Sequence, residues 1–175
     1  GTIGGAIFMN AGTGQLCISD YLVSVQVFDI KRLKIFHMQK KDLIFKYRYS
    51  SFHSNNLIII SAIFTFKPNG NSEFITKNTR ENLKKKTESQ PYHQPSFGSV
   101  FKNPKNNFAG KLIEEAGLKG FKIGGAQVST LHSNFIVNNS NATSEDIYKL
   151  ITLIQQKVLQ KKGIFLHPEV RMIGY

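Results

Sequence analysis

The chain has 175 residues and a hydrophobic content of 41%, enough to bury a core in one large domain or two small ones. It carries 23 Lys+Arg against 11 Asp+Glu, a net charge of +12, and one cysteine, Cys17. A disulfide framework within the chain and a zinc site built on several cysteines are thereby excluded, and no apolar run is long enough for a transmembrane helix.

The positive balance has two readings. One is a polyanionic partner: nucleic acid, an anionic membrane or a phosphorylated small molecule. The other is compositional drift, since the chain is rich in Lys, Asn, Ile and Phe, which A+T-rich codons favour. The bases lie scattered rather than in an aromatic-interleaved patch, so no nucleic-acid partner is expected. Gly1 opens the chain inside a glycine-rich motif. That is not a signal peptide, and the chain reads as a fragment without its natural N-terminus.

Gly1 to Gly12 sets four glycines among small and apolar residues. Glycines let backbone N–H groups curl round an anion, and a nearby helix N-terminus adds favourable partial charge. The spacing fits neither G-x-x-x-x-G-K-[ST] nor G-x-G-x-x-G. A phosphate loop and a tight glycine-lined helix contact therefore both remain open. Tyr21 to Ile30 alternates in polarity and predicts a strand. Leu33 to Met38 is its hairpin partner, with Asp29 to Arg32 as the turn. Lys40 to Phe52 mixes bases and aromatics without a clear period. Leu57 to Phe66 predicts a further strand, bounded by Pro68-Asn69-Gly70 and apolar enough to be buried on both faces.

Ser72 to Ser89 predicts a polar, poorly amphipathic helix with a solvated basic run at Lys84-Lys85-Lys86. The proline-bearing stretch Gln90 to Pro95 then breaks the chain and marks a domain boundary. In Ser96 to Pro104, Gly98 permits close approach to the backbone. Ser99 offers a hydroxyl there, and Lys102 and Asn103 offer a cation and an amide. By themselves these residues read as a plain glycine turn. Ala109 to Leu118 predicts a short helix stopped by Gly117 or Gly120. Phe121 to Val128 predicts a strand in which Gly124-Gly125 marks a bulge or a close backbone approach. Phe135 to Asn138 predicts a short strand.

Thr143 is placed as an N-cap, with Asp146 in capping-box position. Ile147, Leu150, Ile151, Ile154 and Val158 then follow at helical spacing to Gly163, the C-terminal stop. Ile164 to Ile173 predicts a closing strand that carries Glu169 and Arg171. No internal repeat is present. Strands, a helical linker and a mixed unit, in that order, predict an α+β protein of two modules.

The stretches GTIGGAIFMNAG, YRYSSF, PSFGSVFKNP, AGKLIEEAGLKGFKIGGAQVS, HSNFIVN and HPEVRMIG occur in this order. Together they resemble the UDP-N-acetylenolpyruvoylglucosamine reductase family of peptidoglycan precursor synthesis, across the chain from Gly1 to Gly174. The resemblance implies an α+β chain in two parts. The first is part of a vanillyl-alcohol-oxidase-type FAD-binding domain, residues 1–89 with the linker helix. The second is a small substrate-binding domain, residues 90–163. Residues 164–175 would form a final strand returning to the active site.

The implied chemistry is FAD-dependent. NADPH reduces FAD, and the hydride passes to UDP-N-acetylglucosamine enolpyruvate to give UDP-N-acetylmuramate. The implied protein is a cytoplasmic monomer acting on a UDP-sugar, with no metal, membrane or nucleic-acid partner. By the same resemblance Arg48 stabilises the enolate, Glu169 in protonated form donates a hydrogen bond to the substrate carboxylate, and Ser99 is the general acid. Gly4, Gly5, Asn10, Ala11 and Gly12 match the flavin-binding segment, and Lys102 and Asn103 face the UDP diphosphate. Tyr47 has two readings, a wall of the substrate or nicotinamide pocket and an ordinary packing residue. His132 and Asn134 are expected to be structural.

Two departures stand out. Thr13-Gly14-Gln15-Leu16 replaces the family's aromatic-glycine pair, and the family's own N-terminal glycine-rich FAD loop is not in the sequence. No tyrosine-bearing extra loop is seen, which points to the shorter of the family's two subtypes. A competing reading is a decayed relative that retains only a UDP-sugar or protein-binding role.

Overall fold

The computed structural model describes residues 1–13, 16–67 and 70–174. They fall into two compact units, Gly1–Gly70 and Asn71–Tyr175. The turn expected at Pro68-Asn69-Gly70 and the departure at Thr13 to Leu16 lie partly outside the described residues.

The first unit opens with helix α1 (Ile3–Phe8), capped by the Thr2 hydroxyl, which accepts from the Gly5 N–H at 3.1 Å. Two short strands follow, β1 (Gly12–Thr13) and β2 (Leu16–Cys17), paired antiparallel. A Cβ at Gly12 would run into the Leu16 carbonyl, so the hairpin itself requires glycine there. Strands β3 (Leu22–Asp29) and β4 (Lys34–Gln39) form the expected hairpin. Asp29 Oδ1 closes its turn by accepting from the N–H groups of Lys31 (2.9 Å) and Arg32 (3.1 Å).

A second hairpin, β5 (Phe45–Lys46) and β6 (Tyr49–Ser50), precedes β7 (Leu57–Phe64). The sheet order is β4-β3-β7. Ile7, Leu22, Val25, Val27, Leu43 and Phe52 make the core. Register shifts between Leu22 and Ser24 let β3 bury Val25 and Val27 while Val23 faces outward.

The expectation that β7 is buried on both faces is not met. Ile59, Ala62 and Phe64 pack on the core, but Ile58, Ile60 and Ile63 are 52%, 48% and 57% exposed. The sheet packs on the core through one face of this strand, and the other face is open among the described residues of the unit. Helix α1 lies against β7 at Gly4, where a Cβ would sit 3.7 Å from the Ile59 carbonyl. That is an ordinary packing distance, which a small side chain at Gly4 would also allow.

The second unit begins with α2 (Ser72–Ser89), whose Asn71 cap accepts from the N–H groups of Glu73 and Phe74. It buries no residue, as its polar pattern predicts. Strand β8 (Ser96–Ser99) joins β9 (Lys122–Ile123), β10 (Ala126–Val128) and β11 (Phe135–Asn138) in an antiparallel sheet of order β8-β11-β10-β9. Helices α3 (Ala109–Glu115) and α4 (Ser144–Lys162) contribute Leu112, Ile113, Leu150, Ile151, Ile154 and Val158 to one core with Val128 and Ile136 of the sheet. The α4 signals are realised as read. Thr143 and Asp146 form the reciprocal capping box, and Gly163 takes the left-handed C-cap at φ 67°.

Three expectations are corrected in this unit. Ser96 to Ser99 is not a free glycine turn but an edge strand paired with β11. Gly124-Gly125 is the turn between β9 and β10 rather than a bulge. The close approach expected there is present, since a Cβ on Gly125 would run into the Ser140 carbonyl. Ile164 to Ile173 is not a regular strand and meets a strand-like neighbour only at the bridge between Phe101 and Pro168.

Candidate functional site

Ser99 owes its position to one extra residue. Between the pairs Ser96–Val137 and Ser99–Phe135, β8 spans three steps and β11 two. Gly98 absorbs the surplus with a φ of +86°, a conformation that glycine adopts without strain. Beyond Ser99 the chain is fixed from the β11 side. Val100 N–H donates to the Asn134 carbonyl at 2.8 Å. The Asn134 side chain donates to the Phe101 carbonyl (2.8 Å) and accepts from the Phe101 N–H (3.0 Å). Asn134 is buried and, as expected, structural.

The C-terminal segment docks on the same residues. Glu169 N–H donates to the Val100 carbonyl at 2.8 Å, and Lys102 N–H donates to the His167 carbonyl at 2.9 Å. Ser99 and Glu169, 70 positions apart in sequence, thus flank Val100, and both are half-buried. Lys102 is half-buried and follows Phe101 on the same stretch.

A groove of about 550 Å³ opens beside Ser99. Its walls are α3, through Gly110, Lys111, Glu114 and Glu115, and the β10–β11 connection, through Leu131, His132, Ser133 and Asn134. Asn103 and Phe108 complete it. Asn103 Oδ1 accepts from the Ala109 N–H at 2.9 Å and so serves the first turn of α3 while lining the groove. Both groove carboxylates have lysine partners: Glu114 with Lys119 at 2.9 Å, and Glu115 with Lys162 at 2.6 Å. The hydrogen bond from Lys162 holds the Glu115 carboxyl below its ordinary value. The groove is therefore polar and charge-compensated, with Phe108 and Leu131 as exposed apolar rims.

Reading the sequence in order did not bring out Lys111, Glu114, His132 and Ser133 as neighbours of Ser99. Their spacing on α3 and in a loop is ordinary, and only the sheet pairing unites them.

Arg48 and Tyr47 belong to the first unit, at the two-residue turn between β5 and β6. Arg48 has a φ of 52°, a left-handed conformation that costs a non-glycine residue roughly 1 kcal/mol. The hairpin is held by α1's exit. Asn10 Nδ2 donates to the Lys46 carbonyl at 3.0 Å, and Ser50 Oγ donates to the Phe8 carbonyl at 2.6 Å. The Arg48 guanidinium lies 5.0 Å over the Tyr47 ring.

The residues matched to a flavin segment have mixed duties. Gly4 packs against β7 and Gly12 serves the β1–β2 hairpin. The N–H groups of Gly5, Asn10 and Ala11 are already taken by Thr2 Oγ1, Ile7 O and Ala6 O. Asn10 Oδ1 is enclosed without a hydrogen-bond partner. Gly5 and Ala11 are exposed and small. They fit a flat or phosphate-bearing ligand as a wall that permits close approach, not as a set of amide donors.

Among the described residues no group of three or more His, Cys, Asp or Glu side chains could hold a metal ion. No helix among them is long and apolar enough to cross a membrane.

Residues 90–173 match the family described as UDP-N-acetylenolpyruvoylglucosamine reductase, C-terminal domain. Over its whole length the chain is 67% identical to the UDP-N-acetylenolpyruvoylglucosamine reductase of Prochlorococcus marinus subsp. pastoris, covering 59% of that protein. It is 47% identical to the reductase of Trichormus variabilis over 99% of the chain and 52% of the relative. The crystal structure of the reductase from Thermus caldophilus superposes with a TM-score of 0.77 at 32% identity, over 97% of this chain and 59% of that one. The chain thus spans somewhat over half the length of the relatives it matches. The chain is thus similar from end to end to UDP-N-acetylenolpyruvoylglucosamine reductases, and its residues 90–173 match the C-terminal domain of that family.

Proposed function

We propose that the chain forms part of an enzyme that reduces UDP-N-acetylglucosamine enolpyruvate to UDP-N-acetylmuramate in peptidoglycan precursor synthesis. In this reading residues 1–89 belong to a flavin-binding domain of vanillyl-alcohol-oxidase type and residues 90–163 bind the UDP-sugar. Residues 164–175 complete the active site. The observation that carries the reading is Ser99 lining a polar groove, with the Glu169 backbone N–H bonded to the carbonyl of the adjacent Val100. A hydroxyl in that groove suits proton delivery during the addition of hydrogen across a double bond.

FAD, reduced by NADPH, would supply the hydride; Gly5 and Ala11 leave room for it to lie close to the backbone. This chain's own residues do the rest. Addition to a double bond conjugated with a carboxylate drives charge onto that carboxylate as an enolate. Arg48 offers the cation that stabilises it, most strongly where water is excluded. Glu169, when protonated, donates a second hydrogen bond to the same group. Ser99 gives its hydroxyl proton to the enolate carbon. A serine is a weak acid, so its power rests on position. Here the Gly98 bulge and the bonds from Asn134 to Val100 and Phe101 supply that position. Asn103 and Lys102 bind the diphosphate.

The test is NADPH oxidation by the protein made from its complete reading frame, with and without the enolpyruvyl substrate. Substrate-dependent turnover and a flavin absorbance band are expected. A flavin-loaded protein that fails to turn the substrate over would overturn the reading.

A further inference from the structure

His132 projects from the β10–β11 connection into the wall of the Ser99 groove. That connection is rigid. Ser129 Oγ accepts from the N–H groups of Leu131 (3.1 Å) and His132 (3.3 Å), and Phe135 N–H donates to the His132 carbonyl at 2.9 Å. The imidazole is held in its own right. Its Nδ1 accepts from the Asn134 N–H at 3.2 Å, and its edge meets the Phe135 ring at a centroid distance of 4.9 Å. A Cβ on Gly110 would come within 3.2 Å of Cε1, so the ring lies on the one α3 residue that has no side chain.

With Nδ1 occupied as an acceptor, the neutral ring must carry its proton on Nε2. That atom has no protein partner among the described residues. Nor is it sealed in, because Asn10 Oδ1 alone is enclosed and unpaired among them. Burial lowers the imidazole's proton affinity and favours the neutral form, against a smaller opposing effect of its own backbone carbonyl. Lys111, Glu114 and Glu115 are the charged groups sharing the groove, and both carboxylates are neutralised by lysines. No bare carboxylate in the groove therefore stands ready to charge the ring.

We propose that His132 is a fixed, uncharged hydrogen-bond donor, whose Nε2–H binds a neutral acceptor oxygen, hydroxyl or carbonyl, of the ligand held in the Ser99 groove. It is a positioning residue and transfers no proton. The assignment rests on the UDP-sugar reading of that groove and adds to it a residue and a charge state. A phosphate oxygen in this place would instead draw a proton onto the ring on binding.

Titration calorimetry with UDP-N-acetylglucosamine as the probe separates the possibilities, using the protein from its complete reading frame. Wild type should bind without net proton uptake when buffers of different ionisation enthalpy are compared at pH 7. His132→Leu should weaken binding about five- to tenfold, the scale of one neutral hydrogen bond. His132→Gln, which retains an N–H at similar reach, should recover most of the loss. Nitrogen-15 shifts of the free protein should show the Nε2–H tautomer at neutral pH. Proton uptake by wild type, or unchanged affinity in a folded His132→Leu protein, would overturn the assignment and leave the UDP-sugar reading standing. No binding by wild type would remove both.

Discussion

Asn134 and Phe101 are joined by two hydrogen bonds, one from the Asn134 Nδ2 to the Phe101 carbonyl and one from the Phe101 N–H to Asn134 Oδ1. A side chain here completes what the sheet leaves undone. Beyond Ser99 the backbone leaves β8, and its polar groups would otherwise be buried without partners. Asn134→Ala removes both bonds at a buried site and should destabilise the protein by about 2–4 kcal/mol. Denaturant unfolding of the variant measures this. A loss below about 1 kcal/mol would show that Phe101 finds other partners.

Two glycines on the same sheet should respond differently to a methyl group. Gly98 has open space around its missing Cβ, so Gly98→Ala meets only the left-handed backbone, a cost of roughly 1–2 kcal/mol. Gly125 faces the Ser140 carbonyl and the Ala142 backbone, so Gly125→Ala adds a steric collision that backbone must yield to. The second variant should be the less stable of the two in thermal unfolding. The reverse order would contradict the packing at the β9–β10 turn.

Asp146 ties the start of α4 to that turn. Its carboxylate accepts from the Thr143 N–H at 3.0 Å and the Gly125 N–H at 3.3 Å. These backbone bonds hold its carboxyl below the ordinary value of 3.8. Because the folded state binds the proton less readily than the unfolded one, the contribution is complete above that ordinary value. It is lost as pH falls through the lower folded value. Asp146→Asn should lower stability at neutral pH and flatten the acid limb of a stability-versus-pH curve. An unaltered acid limb would mean that Asp146 does not report on this contact.

His132 should mark a different window. Burial lowers its folded value below the ordinary 6.5, so the unfolded chain takes up a proton first as pH falls. The stability it supports is complete above that ordinary value and declines as pH drops from there towards the folded value. In His132→Gln that decline should be missing, with the variant and wild-type curves converging in shape above pH 7. Identical curves below pH 6.5 would count against a buried neutral ring.

The role proposed for Ser99 separates the two halves of the reaction. In the protein from its complete reading frame, Ser99→Ala should leave flavin reduction by NADPH at its wild-type rate. Reoxidation by the enolpyruvyl substrate should slow by about 100-fold or more, the usual range for loss of a general acid. Stopped-flow absorbance at the flavin band follows both. An equal loss in the two half-reactions would place Ser99 in flavin binding instead.

The elements determined by the sequence alone are those whose signals are local. Helix α4 carries its core stripe, its Thr143–Asp146 box and its Gly163 stop within one short stretch of chain. The β3–β4 hairpin carries its alternation and its Asp29 turn in the same way. The ordered motifs that point to the family are likewise a property of the chain itself. Tertiary structure decided what depends on distant partners. Ser96 to Ser99 has the composition of a turn and becomes a strand because β11, far along the chain, pairs with it. Ile164 to Ile173 has the composition of a strand and forms only a bridge, between Phe101 and Pro168. Ser99 itself stands out in the sequence only by its motif. Hydrogen bonds to Val100 and Phe101 bring Glu169 and Asn134 beside it, and the Asn134 N–H in turn holds the His132 ring, relations that no local pattern encodes.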